Sequence, residues 1–382
     1  VRKEDIPGQQ QLKSVFTSMV DNNRLPHALL VHGTGAGTAL ALGYFLIAYL
    51  LCEEKNGVGP CGVCSNCQRN QNLQHPDVHY IYPINKTKTI KSDSAQHSES
   101  FLEDWRKMHS SGPYFTLQDW FAHLDIENKQ GFIGSLESTK FRQKIALRSY
   151  EGGYKVFMIW GADKMNPAFA NKVLKNLEEP SDKTLIILIT EQPKDLLTTI
   201  LSRVQRFQEE PLSEEDLQGF LQERFELSEA EAMNMAFRAE GNAINAIKEV
   251  EHGEDEGLER FKLWMRLAYK QDMIGLFDWS VKTARLNREQ GRLFIKSALN
   301  VLDRCFRMGW VETNIPMEGE EAEFYKNFSP FIDSGNIEYF MELLQEASFH
   351  IERNVNEKIV WYDASIKAVR FIHAGRKRAA QA

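Results

Sequence analysis

The chain has 382 residues, 42 % of them hydrophobic, which is material for two or three cored domains without a disulfide scaffold. A formal net charge of -7 argues against a dedicated nucleic-acid coat, which needs a basic surface, though a local basic stripe stays open. Residues 1–5 lack an apolar signal core and no uncharged apolar run reaches the ~18 residues of a membrane span, so the expectation is a soluble, cytoplasmic protein with no membrane partner.

The apolar runs at residues 28–31, 156–160 and 185–189 read as parallel strands covered on both faces. Helical patterns fall between them, among them residues 167–177, where Pro167 takes a tolerated first-turn position after Asn166. This alternation predicts an α/β sheet domain over residues 1–210. Its first strand runs into the glycine loop Gly33-Thr34-Gly35-Ala36-Gly37-Thr38, and residues 39–52 then read as a buried helix.

A working phosphate loop has the form G-x4-G-K-[ST]: amides cradle the phosphates, the lysine neutralises charge and the hydroxyl holds magnesium. Here Thr38 stands where the lysine belongs, and the loop is short. An acidic pair should also close the strand at 156–160, yet Asp163 comes about one turn late. Gly33, Gly35, Gly37 and Thr38 therefore form a degenerate loop, with no bound nucleotide and no ATP hydrolysis expected. Weak nucleotide binding without hydrolysis stays open.

Cys52, Cys61, Cys64 and Cys67 follow at a C-x8-C-x2-C-x2-C spacing, with bends supplied by Gly57, Gly59, Pro60 and Gly62. Four thiolates suit one tetrahedral zinc and leave no open position for a reactive water, so the zinc is expected to be structural. The competing reading is a redox C-x-x-C pair or unrelated cytosolic thiols. His75 and His79 read as packing or surface residues.

From about residue 82 to 125 the rhythm breaks into a polar stretch and then an aromatic one with Trp105, Tyr114, Phe115, Trp120 and Phe121. This is expected to be an insertion, partly mobile, whose aromatics pack rather than stack on bases. From Pro211 on, a period of 3.6 dominates. Ser213 is placed to cap a helix whose first turn is acidic, opening a small helical unit over 211–253. Acidic residues at 251–256 read as a linker, and a helical region over 254–382 follows. There Cys305 shares a face with Phe294, Ala298, Val301 and Leu302, as a small buried hydrophobe does. Arg376, Lys377 and Arg378 suit a solubilising tail better than a DNA contact.

Several segments, in order, resemble the bacterial clamp-loader branch of the AAA+ superfamily. They are Asn23-Arg24-Leu25-Pro26-His27-Ala28, His75-Pro76-Asp77, Leu174-Lys175-Asn176-Leu177-Glu178-Glu179-Pro180 and Thr199-Ile200-Leu201-Ser202-Arg203; His350-Ile351-Glu352-Arg353-Asn354 resembles the family's last ring-forming helices. The resemblance implies an AAA+-type α/β domain with a parallel sheet and an inserted zinc module (52–67), then a small helical lid and an all-α collar domain. A degenerate loop before a four-cysteine module resembles the branch's member without ATPase chemistry rather than its ATP-hydrolysing gamma/tau member. Implied partners are the gamma/tau and delta subunits, with the sliding clamp and primer-template DNA reached through the assembly.

The family's Ser-Arg-Cys motif sends an arginine to the ATP of a neighbouring subunit; here it reads Ser202-Arg203-Val204, with Arg206 as a nearby alternative. Thr190 falls where the family senses the γ-phosphate, and residues 241–247 lack the arginine that active relatives carry in the lid. Two other readings remain at this point: an autonomous ATPase with an unusual loop, and a zinc-dependent nucleic-acid adaptor.

Overall fold

The computed structural model describes residues 5–379 apart from 34, 89, 91, 93–95, 127, 128, 130, 253–255, 287, 311–318 and 354. Thr34 of the glycine loop, the middle of the acidic stretch at 251–256 and Asn354 lie outside the described residues, as do the side chains of Arg376, Lys377 and Arg378. Two compact units divide the chain, Val1–Glu251 and His252–Ala382.

The first unit opens with α1 (Gln10–Asp21), β1 (Ala28–His32), α2 (Ala39–Leu51), α3 (Ser65–Gln71) and β2 (Val78–Ile81). Next come α4 (Leu102–Ser110), α5 (Leu117–His123), α6 (Ser135–Ala146), β3 (Lys155–Trp160), α7 (Pro167–Glu178) and β4 (Thr184–Thr190). It closes with α8 (Thr198–Leu201), β5 (Gln205–Gln208), α9 (Glu214–Phe225), α10 (Glu229–Arg238) and α11 (Ala243–His252). The five strands form one parallel sheet in the order β2-β3-β4-β1-β5.

Strand side chains alternate between two apolar layers, as a period of 2 requires. Val156, Met158, Leu185 and Ile187 join Leu42, Phe45 and Leu46 of α2 in one layer. Phe157, Ile159, Ile186 and Leu188 join Phe141 of α6 and Phe169 and Val173 of α7 in the other. Helix α2 is buried through Leu50, which fits its lack of a polar face. Edge strands β2 and β5 have four residues each, too short to show a period, and β5 buries only Phe207.

Caps fall where the sequence places them. The Asn166 side chain accepts from the Phe169 amide at 2.8 Å at the start of α7, and Ser213 accepts from the Asp216 amide at 3.0 Å at the start of α9. At the far end of α6 the buried Lys155 ammonium meets the carbonyls of Lys144, Ile145 and Leu147, satisfying acceptors that a helix end leaves over.

The aromatics of residues 82–125 belong to the sheet's own core. Trp105 stacks on Tyr82 at 4.2 Å between centroids and lies 5.3 Å from Trp160 of β3, while Trp120 donates its indole N–H to the Pro83 carbonyl at 2.8 Å. Both tryptophans are fully buried, so packing is their role. Trp105→Ala is expected to destabilise the unit by ~3–5 kcal/mol in denaturant unfolding, the usual cost of emptying a tryptophan site in a core.

His79 of β2 packs 4.8 Å from Phe157, with the Lys144 ammonium 3.4 Å from its Nδ1. Burial, then the Lys144 and Lys155 charges, push its pKa down to about 3. Below the ordinary histidine pKa of ~6.5 the unfolded chain takes up a proton that the folded chain refuses. Stability is therefore full above pH ~6.5 and falls on acidification toward about pH 3, by up to ~1.4 kcal/mol per pH unit from this group. Unfolding followed from pH 7 to 4 should show a shallower acid loss in His79→Phe than in the parent; equal slopes would remove His79 from the account.

The second unit holds α12 (Glu256–Lys270), α13 (Met273–Thr283), α14 (Arg288–Trp310), α15 (Gly319–Phe328), α16 (Ile337–Glu352) and α17 (Glu357–Ala379), with no strand among its described residues. Its core gathers Trp264, Trp279, Phe294 and Trp361, and Cys305 is fully buried beside them. Burial pushes the Cys305 thiol pKa well up, in keeping with a packing role. No described helix is long and apolar enough to cross a membrane.

Candidate functional site

Strand β1 delivers the glycine loop to the start of α2, and the parallel pairing of β1 with β5 decides what meets it. His32 lies level with Gln208, and the Glu209 amide donates to the His32 carbonyl at 2.8 Å, so Glu209 emerges beside the loop. Its carboxylate then fills the loop. Oε2 accepts from the Thr38 amide at 2.7 Å and from the Thr38 hydroxyl at 2.6 Å, and Oε1 accepts from the Gly37 amide at 3.3 Å. Glu209 is 4 % exposed; burial raises its pKa, opposed by the bonds from Thr38, Gly37 and Ala39.

The loop's glycines suit this occupant. A Cβ on Gly33 would stand 2.0 Å from Cγ of Glu209, so only glycine leaves room for that side chain. Gly37 has φ 67, a left-handed conformation that other residues adopt at a cost. Gly35 backs onto Pro211, and the Ala36 carbonyl accepts from the Ala243 amide at 2.8 Å, tying the loop to the start of α11. Gly33, Gly37 and Thr38 are thus brought together around a carboxylate of the chain itself, while Gly35 lies against Pro211.

At the ends of the neighbouring strands, the Thr190 hydroxyl donates to Asp163 at 2.5 Å and accepts from the Gln192 amide at 3.0 Å. Lys164 pairs with the other Asp163 oxygen at 2.7 Å, and the Asp163 side chain is only 3 % exposed. Asp163 is bonded on both oxygens, and Thr190 makes the strand-end hydrogen bond that a threonine there can offer.

Cys52 ends α2, Cys64 caps α3 and Cys67 lies in its first turn, with Cys61 between on a chain bent at Gly57 and Gly62, both at positive φ. The four Sγ atoms lie within 4.8 Å of one another. A zinc with bonds of about 2.3 Å needs tetrahedron edges of about 3.8 Å, and Cys61 Sγ to Cys67 Sγ is 3.9 Å. Amides of Cys61, Cys64 and Cys67 point at the sulfurs of Cys52, Cys61 and Cys64 at 3.4, 3.3 and 3.4 Å, the backbone support a thiolate site uses. Amide bonds from Cys64 and Val63 bring the Cys61 pKa down to about 7, while burial raises Cys52 and Cys67; a divalent cation offsets that burial penalty. The donor set fits a closed four-thiolate metal site. His75 stands outside it, near Asn66 and Glu151.

Arg203 sits between α8 and β5, followed by the buried Val204. Its guanidinium donates to the Thr199 carbonyl at 2.9 Å and the Ser202 hydroxyl at 3.2 Å, and pairs with Glu178, at the end of α7, at 2.9 Å. The Arg203 side chain is 37 % exposed and that of Glu178 51 %, so the fork is held yet reachable. Arg206 is exposed on β5. Sequence reasoning missed the pairing of Arg203 with Glu178 and missed Glu209 altogether. Glu178 stood inside a family-like segment, whereas Glu209 becomes visible only through the β1–β5 register.

The sequence profile described as "DNA polymerase III, delta subunit" matches residues 8–213, more than half of the chain. The DNA polymerase III subunit delta' of Bacillus subtilis is 28 % identical over 216 residues, covering 56 % of this chain and 52 % of that protein. The Escherichia coli subunit delta' is 27 % identical over 308 residues, covering 80 % of this chain and 78 % of that one. The matched region thus spans about half the length of the first relative and more of the second. A Thermotoga maritima DNA polymerase III gamma subunit-related protein superposes at a TM-score of 0.38 with 14 % identity, covering 97 % of this chain and 99 % of that one, a likeness too loose to add to the assignment. The profile and these relatives together place the chain in the DNA polymerase III delta-subunit family, on its delta-prime side.

Proposed function

We propose that this chain is a delta-prime-type subunit of a DNA polymerase III clamp loader, which helps load a sliding clamp onto primed DNA and hydrolyses no ATP of its own. The observation that carries the second half is the glycine loop, which lacks a lysine and has its amides engaged by Glu209. Arg203 is the residue offered outward. Its planar, permanently charged fork suits the charge that spreads over γ-phosphate oxygens during phosphoryl transfer. In this reading it completes the ATP site of an adjoining gamma/tau subunit, while a delta subunit lies on the other side and the clamp and primer-template DNA are met through the assembly.

The cysteine cluster holds a structural zinc, with no position open for chemistry. The chain then has three functional parts: an α/β body over 1–210, a helical lid over 211–253 and a collar over 254–382 that joins the subunits. The setting is cytoplasmic, with no membrane partner.

Mixing the purified chain with gamma/tau and delta proteins of the same organism tests the assignment. Co-elution of all three on size exclusion is the expected result, and separate elution at micromolar concentration would sink it.

A further inference from the structure

We propose that Glu209 is the residue that shuts nucleotides out of this chain's phosphate loop, by standing in the anion position as a permanent internal occupant. This deepens the reading of a subunit without its own ATPase by naming what fills the loop. The missing lysine removes an attraction; Glu209 removes the space and the donors.

Three features support the inference independently of the family. A phosphate cradle works because its amides point at an anion and have no better partner. Here the Gly37 and Thr38 amides and the Thr38 hydroxyl all bond one carboxylate, which leaves those donors no capacity for phosphate oxygens. Gly33, a position where glycine would let a phosphate approach the backbone, instead admits Cγ of Glu209, and no other residue would leave room for it. Occupant and loop are each anchored: the Glu209 amide continues the β1–β5 ladder on the His32 carbonyl, while Pro211 lies against Gly35 and the Ala243 amide bonds the Ala36 carbonyl of the loop. A phosphate entering the loop would have to displace a buried carboxylate from the Gly37 and Thr38 donors. Restoring a lysine alone would therefore not restore nucleotide binding.

The plain alternative is that Glu209 merely satisfies donors at the start of α2, as a capping side chain does. Removing the side chain separates the two roles. Losing a cap lowers stability and creates no affinity, whereas losing an occupant exposes an anion site. The experiment uses the full chain and Glu209→Ala at low salt, with inorganic pyrophosphate and ADP as probes, read by calorimetry and by the shift in unfolding temperature, which tracks ligand binding to the native state. The parent is expected to bind neither probe. Glu209→Ala is expected to bind pyrophosphate at least tenfold more tightly than the parent, with the affinity weakening as salt rises.

Equal pyrophosphate binding by both chains, or a folded Glu209→Ala chain that binds no better than the parent, would overturn the inference. If Glu209→Ala does not fold, Glu209→Ser carries the same expectation. Arg203 plays no part in this assay, so failure of the clamp-loader reading and failure of this inference remain distinguishable.

Discussion

A clamp loader assembled with the Arg203→Ala chain is expected to hydrolyse ATP at the adjoining gamma/tau site far more slowly than one assembled with the parent. Removing a trans-acting arginine costs ~10³–10⁵ in rate in other nucleotide hydrolases, because the transition state loses a charge and two directed donors at once. A loader with several ATP sites shows a smaller loss in the steady state, so single-turnover hydrolysis is the better readout. The change should leave the fold nearly untouched. Arg203 is partly exposed, and its pair with Glu178 is a surface ion pair worth ~0–1 kcal/mol at most. A steep fall in rate with unchanged unfolding temperature and unchanged assembly is the expected pattern. Arg203→Lys should not rescue it, since an ammonium lacks the fork. An unchanged single-turnover rate would remove Arg203 from the mechanism.

Metal removal should have the other large effect, on folding and not on chemistry. Structural zinc in small finger peptides contributes on the order of 10 kcal/mol of binding free energy near neutral pH, and where no site preforms, this is folding free energy. The four cysteines join the end of α2 to α3, so losing the metal should release residues 52–71 and lower the unfolding temperature of the first unit. Metal analysis of chain purified without chelator should give close to one zinc per chain, and Cys64→Ser close to none. Acid should also release the metal, because proton and zinc compete for the thiolates and burial raises the pKa of Cys52 and Cys67. Parent chain that contains no zinc and unfolds at the same temperature with and without chelator would contradict the site.

How much of this was legible in the sequence depends on where the determining contacts lie. The inner strands β1, β3 and β4 were readable because strands covered on both faces must be continuously apolar. The edge strands β2 and β5 were not: each has only four residues, too few to show a period, and β5 is mostly exposed and polar. The cysteine spacing was informative because a metal site is local in sequence. The lysine's absence was legible too, but an absence says nothing of what replaces it. Glu209 reaches Thr38 from 171 residues away, through a pairing no local pattern encodes. Trp105 and Trp120 could be assigned to packing, yet not to the sheet's own core, because Trp160 lies on β3 far along the chain and Tyr82 and Pro83 directly follow the unmarked edge strand β2. Arg203 was singled out by resemblance alone; an arginine before an edge strand has no pattern of its own.

This chain is expected to serve a neighbour's ATP and to hold none of its own. The decisive comparison is ATP hydrolysis with magnesium by the purified chain alone against hydrolysis by gamma/tau and delta with clamp and primed DNA, before and after the chain is added. No turnover by the chain alone and a rise in hydrolysis when it joins the others are the expected results. Turnover by the isolated chain, or no rise on its addition, would rule out that role.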